Sequence, residues 1–148
     1  MTKNNLKKAI YPGSFDPIHK GHINIIEKAV KLFDYVYVIV SINPDKNNLT
    51  GIKTRFLNTK KKLSKFENVE VLLNEDDFIA NIAKKHDCNY LIRSARNIKD
   101  YSYEIELAAG NKFLNSNLET ILIMPDYENI NYSSTLLRHG KKLNKNSV

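Results

Sequence analysis

The densest cluster of chemistry-bearing residues lies early in the chain, at Tyr11-Pro-Gly-Ser-Phe-Asp-Pro-Ile-His-Lys-Gly-His22. His19 and His22 stand three apart where a helical apolar periodicity begins, so both rings fall at a helix N-terminus. Unpaired amides and the helix dipole favour a phosphate there. An imidazole beside them can donate to a phosphoryl oxygen as charge builds in a transition state. Gly13 and Gly21 lack the Cβ that would hold the backbone away from a ligand. Other phosphate motifs fail: neither G-x-x-x-x-G-K-S/T nor G-x-G-x-x-G occurs, which leaves a P-loop and a dinucleotide fingerprint unsupported. A zinc site at His19 and His22 lacks further ligands at zinc-like spacing. On spacing alone, two histidines that merely cap a helix remain the alternative.

Further polar residues stand just after strand-like runs. Lys46 lies in Pro44-Asp-Lys46, Arg93 and Arg96 flank Ser94-Ala95, and Ser133-Ser134 precede a helical stretch. Taken singly, each has an ordinary explanation. Lys46 reads as solvated, Arg93 and Arg96 as a surface pair, and Glu104 as a helix-face charge answering Lys99 or Lys112. The two serines read as a helix cap, and periodicity puts Ile79 on a core face. Their shared placement after strands is what sets them apart.

The elements that must position these residues alternate along the chain. Lys8–Tyr11 is a short apolar run stopped by Pro-Gly, and 21–33 has Ile26, Ala29, Val30 and Phe33 on one helical face. Residues 35–42 are β-branched and aromatic almost throughout, as in a central parallel strand covered on both faces. A basic helix over 53–66, a strand over 69–73 and a helix over 77–86 with Phe78, Ile79, Ile82 and Ala83 grouped follow. The remainder reads as a strand at 90–92, a helix at 100–114, a strand at 119–124 ended by Pro125, and a last helix at 133–139. Five such units imply an α/β fold, a five-stranded parallel sheet with helices on both faces and right-handed crossovers. Ligands in that architecture sit past the carboxyl ends of the strands, where the strand order reverses.

Composition narrows the class. The 148 residues suffice for one core, and 42% hydrophobic with 26% charged residues is an ordinary globular balance. No apolar run approaches membrane length, and Ala9-Ile10-Tyr11 is too short for a signal-peptide core, so a cytoplasmic protein is expected. The single cysteine, Cys88, excludes an internal disulfide and reads as a small buried hydrophobe. A net charge of +7 favours anionic partners, but apart from Lys60–Lys62 and Lys141-Lys142 the charge is scattered. The Lys60–Lys62 run reads as a solvated helix face.

Gly13-Ser-Phe-Asp-Pro17 followed by His19-x-Gly21-His22 resembles the signature of the HxGH nucleotidyltransferases. Leu91-Ile-Arg93-Ser-Ala-Arg96, Asp100-Tyr-Ser-Tyr103-Glu104, Asn111 and Tyr132-Ser-Ser-Thr135 narrow the resemblance to the phosphopantetheine adenylyltransferase family, over about residues 9–138. It implies a single Rossmann-like domain over 1–148 that moves the adenylyl group of ATP onto 4′-phosphopantetheine, reversibly, with Mg²⁺ carried by ATP. His22 is then the transition-state stabiliser, and Lys46 neutralises the acceptor's phosphate. Ser14, Phe15, His22, Ser94, Ala95, Arg96, Glu104 and Asn129-Ile130-Asn131-Tyr132-Ser133-Ser134-Thr135 face ATP. Ser14, Lys46, Ile79 and Arg93 face phosphopantetheine. A homo-oligomer, hexameric in the family, is implied; nucleic acid and membrane are not expected partners.

Three departures from the family pattern stand out. Ser94-Ala95 replace the usual Gly-Leu, His19 stands where the family often has Thr, and relatives continue past the position of Lys141 into another helix. That last difference is expected to affect packing rather than chemistry. Rival readings are a nicotinamide mononucleotide adenylyltransferase or a cytidylyltransferase with the same HxGH chemistry, and a non-catalytic nucleotide sensor or basic RNA-binding module. The Arg93–Glu104 segment speaks against the first two, and His22 with Lys46 against a sensor.

Overall fold

The computed structural model describes residues 5–42 and 50–126. Lys46, Asn129–Thr135 and the helix expected over 133–139 lie outside them. Along the described chain run β1 (Lys8–Gly13), α1 (Lys20–Leu32), β2 (Tyr35–Ser41), α2 (Ile52–Lys62), β3 (Val69–Asn74), α3 (Ile79–Lys85), β4 (Tyr90–Arg93), α4 (Ile98–Leu114) and β5 (Glu119–Leu122). The five strands form one parallel sheet in the order β3-β2-β1-β4-β5.

Strand alternation divides the interior into two cores. Ala9 and Tyr11 of β1, Val36, Val38 and Val40 of β2, and Ile92 of β4 meet Ile25, Ile26, Ala29 and Phe33 from α1 and its end, with Leu63 beyond α2. Ile10, Ile39 and Leu91 turn to the other face and pack on Ala80, Ile82 and Ala83 of α3, with Cys88 and Leu118. Both faces of β1 and β2 are therefore buried, which is why their sequences carry so few polar residues. Asn115 ties α4's end to this second layer, donating through Nδ2 to the Ala80 carbonyl at 3.1 Å.

Several boundaries differ from the sequence expectation. Pro12 and Gly13 do not stop β1: pairing with β2 continues to Gly13↔Val40, while pairing with β4 covers Ala9 and Ile10 only. In place of the ladder, Arg93 Nη1 donates to the Pro12 carbonyl at 3.1 Å. α4 begins at Ile98 because Asn97 caps it, its Oδ1 accepting the Asp100 N–H at 2.8 Å. α2 ends at Lys62, with Leu63 as its C-cap, four residues short of Phe66. Phe78 does not join the apolar face of α3; it is the N-cap residue and exposed.

Candidate active site

The sheet's order reverses between β1 and β4, and the loops leaving those two strands carry the chemistry-bearing residues. After β1 the chain turns sharply. Phe15 adopts a left-handed backbone, φ 48°, and the Asp16–Pro17 peptide is cis. A bulky residue at positive φ is strained and persists only where its surroundings fix it. They do so here through the side chain. The Phe15 ring is 2% exposed, meets Tyr11 edge-on at 5.6 Å between centroids, and meets His22 edge-on at 4.8 Å. Gly13 is required by the same packing: a Cβ there would stand 3.0 Å from the Phe15 ring. A neighbouring ring is thus one reason for glycine at this position.

His19 and His22 open α1 as a reciprocal cap. His19 Nδ1 accepts the Gly21 N–H at 3.0 Å, and His22 Nδ1 accepts the His19 N–H at 3.1 Å. With Nδ1 an acceptor in each, the neutral rings carry their proton on Nε2. The rings lie 3.9 Å apart between centroids. Capping and a fixed tautomer are therefore compatible functions of the same two residues, rather than alternatives. His22 presents Nε2–H as a donor at a helix N-terminus, half-buried beside the Phe15 turn.

After β4, Arg93 makes a two-pronged ion pair with Glu104 of α4: Nε and Nη2 each donate to one carboxylate oxygen at 2.8 Å. Glu104 is 5% exposed. Burial works to lower the Arg93 pKa, but the hydrogen bonds and charge of Glu104 outweigh it and the net direction is upward. Burial likewise pushes the Tyr11 phenol up to about 12, with Arg93 opposing and Glu104 reinforcing. The ordinary explanations of these residues fail. Glu104 answers neither Lys99 nor Lys112, since Lys112 pairs with Glu119. Arg93 and Arg96 are not a surface pair either, for only Arg96 is exposed, held by Asp100 Oδ2 at 3.2 Å. Burial of the Asp100 carboxyl acts to raise its pKa, yet N–H groups of Arg96 hold it below the usual range. Between the arginines Ala95 is buried and Ser94 partly so.

Other expected site residues are placed less centrally. Ser14 is partly exposed in the turn after β1, and Ile79 is half-buried against the second core. One central residue escaped the sequence reading. Arg55, in the basic helix, is 3% exposed and donates to the carbonyls of Ser14, Ser41 and Thr50. Its four-residue spacing from Thr59, and that residue's from Leu63, was the available signal, because all three fall on one buried stripe. Asn74, also buried, links Ser41 Oγ at 3.2 Å with the backbone of Asp77. Among the described residues, no group of three or more His, Cys, Asp or Glu could hold a metal ion, and no helix is long and apolar enough to cross a membrane.

Comparisons with known proteins agree with this geometry. Residues 10–140 match the model of the cytidylyltransferase-like family. The phosphopantetheine adenylyltransferase of Mycoplasma capricolum is 44% identical over 133 residues, covering 90% of this chain and 95% of that protein. That of Nautilia profundicola is 37% identical over 137 residues, covering 93% and 88%. Among solved structures, a lipopolysaccharide core biosynthesis protein from Thermoplasma volcanium superposes with a TM-score of 0.58 at 18% identity, over 82% of this chain and 98% of that one. The last is a likeness of fold alone. The identities across nearly the whole chain, with the histidine pair and the buried arginine–glutamate pair at the sheet's switch point, establish that this chain belongs to the phosphopantetheine adenylyltransferase family within the cytidylyltransferase-like enzymes.

Proposed function

We propose that this protein is a nucleotidyltransferase of coenzyme A biosynthesis, transferring an adenylyl group from Mg·ATP to 4′-phosphopantetheine. A phosphate oxygen of phosphopantetheine attacks the α-phosphorus of ATP. The bond to the bridging oxygen breaks, and that oxygen leaves with the electron pair as pyrophosphate; the other product is dephospho-coenzyme A. Such a transfer needs positioning and charge stabilisation more than covalent help. The observation that carries the reading is the hydrogen bond from the His19 amide to His22 Nδ1, which makes Nε2 the proton-bearing nitrogen, the one able to donate to the α-phosphate as charge develops.

The other residues take roles around that donor. The amides of Ser14 and Phe15 receive ATP phosphates, and the Ser14 hydroxyl meets the acceptor's phosphate. Lys46 neutralises that phosphate as a mobile point charge, and Arg93, oriented by Glu104, approaches it from the other strand. Ser94, Ala95 and Arg96 line the nucleotide's path, Asn129–Thr135 complete it, and Ile79 borders the pantetheine arm. Mg²⁺ arrives as part of the ATP substrate and neutralises the leaving pyrophosphate. The compartment is the cytoplasm, in keeping with a lone, buried cysteine thiol.

The active form is a homo-oligomer, with a hexamer expected from the family. Supporting this, α4 buries Glu104 on one side and turns an apolar stripe outward: Ile98 (83% exposed), Tyr101, Ile105 and Phe113 (88% exposed). Light scattering on the eluted protein tests it; Ile105→Glu should lower the particle mass, and a monomeric wild type would refute it.

Acceptor choice is tested by following pyrophosphate release with Mg·ATP and 4′-phosphopantetheine, beside nicotinamide mononucleotide and beside CTP with glycerol 3-phosphate. Turnover with phosphopantetheine alone is expected. Turnover only with another acceptor would move the protein to a sister activity.

A further inference from the structure

α2 carries one arginine among its lysines, and the fold buries it. Arg55 Nη1 donates to the Ser14 carbonyl at 2.5 Å and to the Ser41 carbonyl at 3.2 Å, while Nε donates to the Thr50 carbonyl at 3.0 Å. One guanidinium thus joins the turn after β1, the end of β2 and the approach to α2. Thr50 adds a second link, its N–H donating to Asp16 Oδ2 at 3.4 Å.

The Ser14–Phe15 peptide is trans, since the cis bond in this turn is Asp16–Pro17. In a planar trans peptide the carbonyl and the following N–H point to opposite sides. With the Ser14 carbonyl held on Arg55, the Phe15 N–H must face away from α2. The turn needs such a hold. A left-handed Phe15 is strained and survives only when fixed from several directions. Tyr11 and His22 fix its ring, and Arg55 fixes its peptide.

We propose that Arg55 is a positioning residue for adenylyl transfer: by holding the Ser14 carbonyl it aims the Phe15 amide at the ATP phosphates, without touching substrate itself. This rests on the proposed role of the β1–α1 turn in receiving ATP. A lysine would not suffice, because its single ammonium lacks the planar fork that serves three carbonyls at fixed angles.

Arg55→Lys is compared with Leu63→Ala, a cavity on the same buried stripe two helical turns further along, at the C-cap of α2. Both should melt earlier than wild type. Assayed well below either melting temperature, Arg55→Lys should lose about 10–100-fold in kcat/KM for ATP. Its calorimetric Kd for 4′-phosphopantetheine without ATP should stay within about 3-fold of wild type, as should Leu63→Ala in every constant. Arg55→Lys within about 3-fold of wild type in kcat/KM for ATP would overturn the proposal. So would equal losses in the two variants.

A measurement on the unaltered protein covers the case in which Arg55→Lys does not fold. On adding Mg·ATP, the Phe15 amide resonance should shift while Arg55 Nε–H stays in place. An Arg55 shift as large as that of Phe15 would place the nucleotide on Arg55 itself and overturn the positioning role. If ATP binds and moves no resonance of residues 13–22, the site reading fails; if Phe15 moves but Arg55→Lys is unimpaired, only Arg55's role does.

Discussion

Arg93 and Glu104 meet through two parallel hydrogen bonds of 2.8 Å, joining the carboxyl end of β4 to the first half of α4. A third bond from the same guanidinium reaches the Pro12 carbonyl of β1. The pair sits where the sheet's strand order turns, and it orients an arginine between two strands whose loops flank the candidate site. Glu104 is therefore first a partner of Arg93, whatever it offers the nucleotide.

Removing one member of this pair should be costly. Glu104→Ala leaves the guanidinium buried without its counter-charge, and about 3–5 kcal/mol of stability should be lost. The double variant Arg93→Met/Glu104→Leu should recover most of that, because a buried ion pair is often replaceable by packed apolar groups. On the proposed role of Arg93 at the acceptor's phosphate, it should remain inactive. Urea unfolding and the pyrophosphate assay read the two quantities separately.

A buried hydroxyl offers the opposite effect. Among the described residues, Thr59 Oγ1 is buried without a hydrogen-bond partner. Thr59→Val keeps the shape and removes the unsatisfied group, so stability should rise by about 1 kcal/mol. Chemical denaturation measures it; a lower midpoint would mean that the hydroxyl has a partner.

Stability should also fall at high pH. Burial raises the Tyr11 pKa from 10.0 to about 12, and burial raises that of Cys88 from 9.0 to about 12. Between pH 9 and 12 the unfolded chain releases these protons while the folded chain keeps them. The folded state then binds more protons, and stability declines as pH rises, by up to roughly 1.4 kcal/mol per unit for each group. Below pH 9 this contribution is complete. Urea midpoints at pH 8 and pH 11 test the slope, and Cys88→Ala should flatten it; equal midpoints would contradict it. At pH 7.5 the same thiol should resist iodoacetamide until the protein unfolds.

The sheet was legible in the sequence because strand apolarity and helix periodicity agree along the chain. Residues 35–42 read as a covered central strand, and β2 bears this out over Tyr35–Ser41. Pro12-Gly13 misled because a proline normally ends a ladder; here the ladder on one side has already stopped, and Arg93 takes the carbonyl. The histidine pair was visible from its spacing, but not the reciprocal cap that sets both tautomers. Arg55 stayed hidden because a basic helix reads as solvated, and the one signal, its four-residue spacing from Thr59 and Leu63, is a short stripe with a single apolar member. Phe15 at positive φ was equally unreadable: no local rule puts an aromatic ring there, and the turn exists because Gly13, Tyr11 and His22 make room for it.

The most direct test of the central claim is the steady-state kinetics of His22→Ala with Mg·ATP and 4′-phosphopantetheine. Loss of a donor that acts on the transition state should lower kcat by about 10²–10³-fold or more, with both KM values within several-fold of wild type. A variant that kept its kcat, or lost activity only through a raised KM, would contradict the assignment of His22 as the group that stabilises the reacting phosphate.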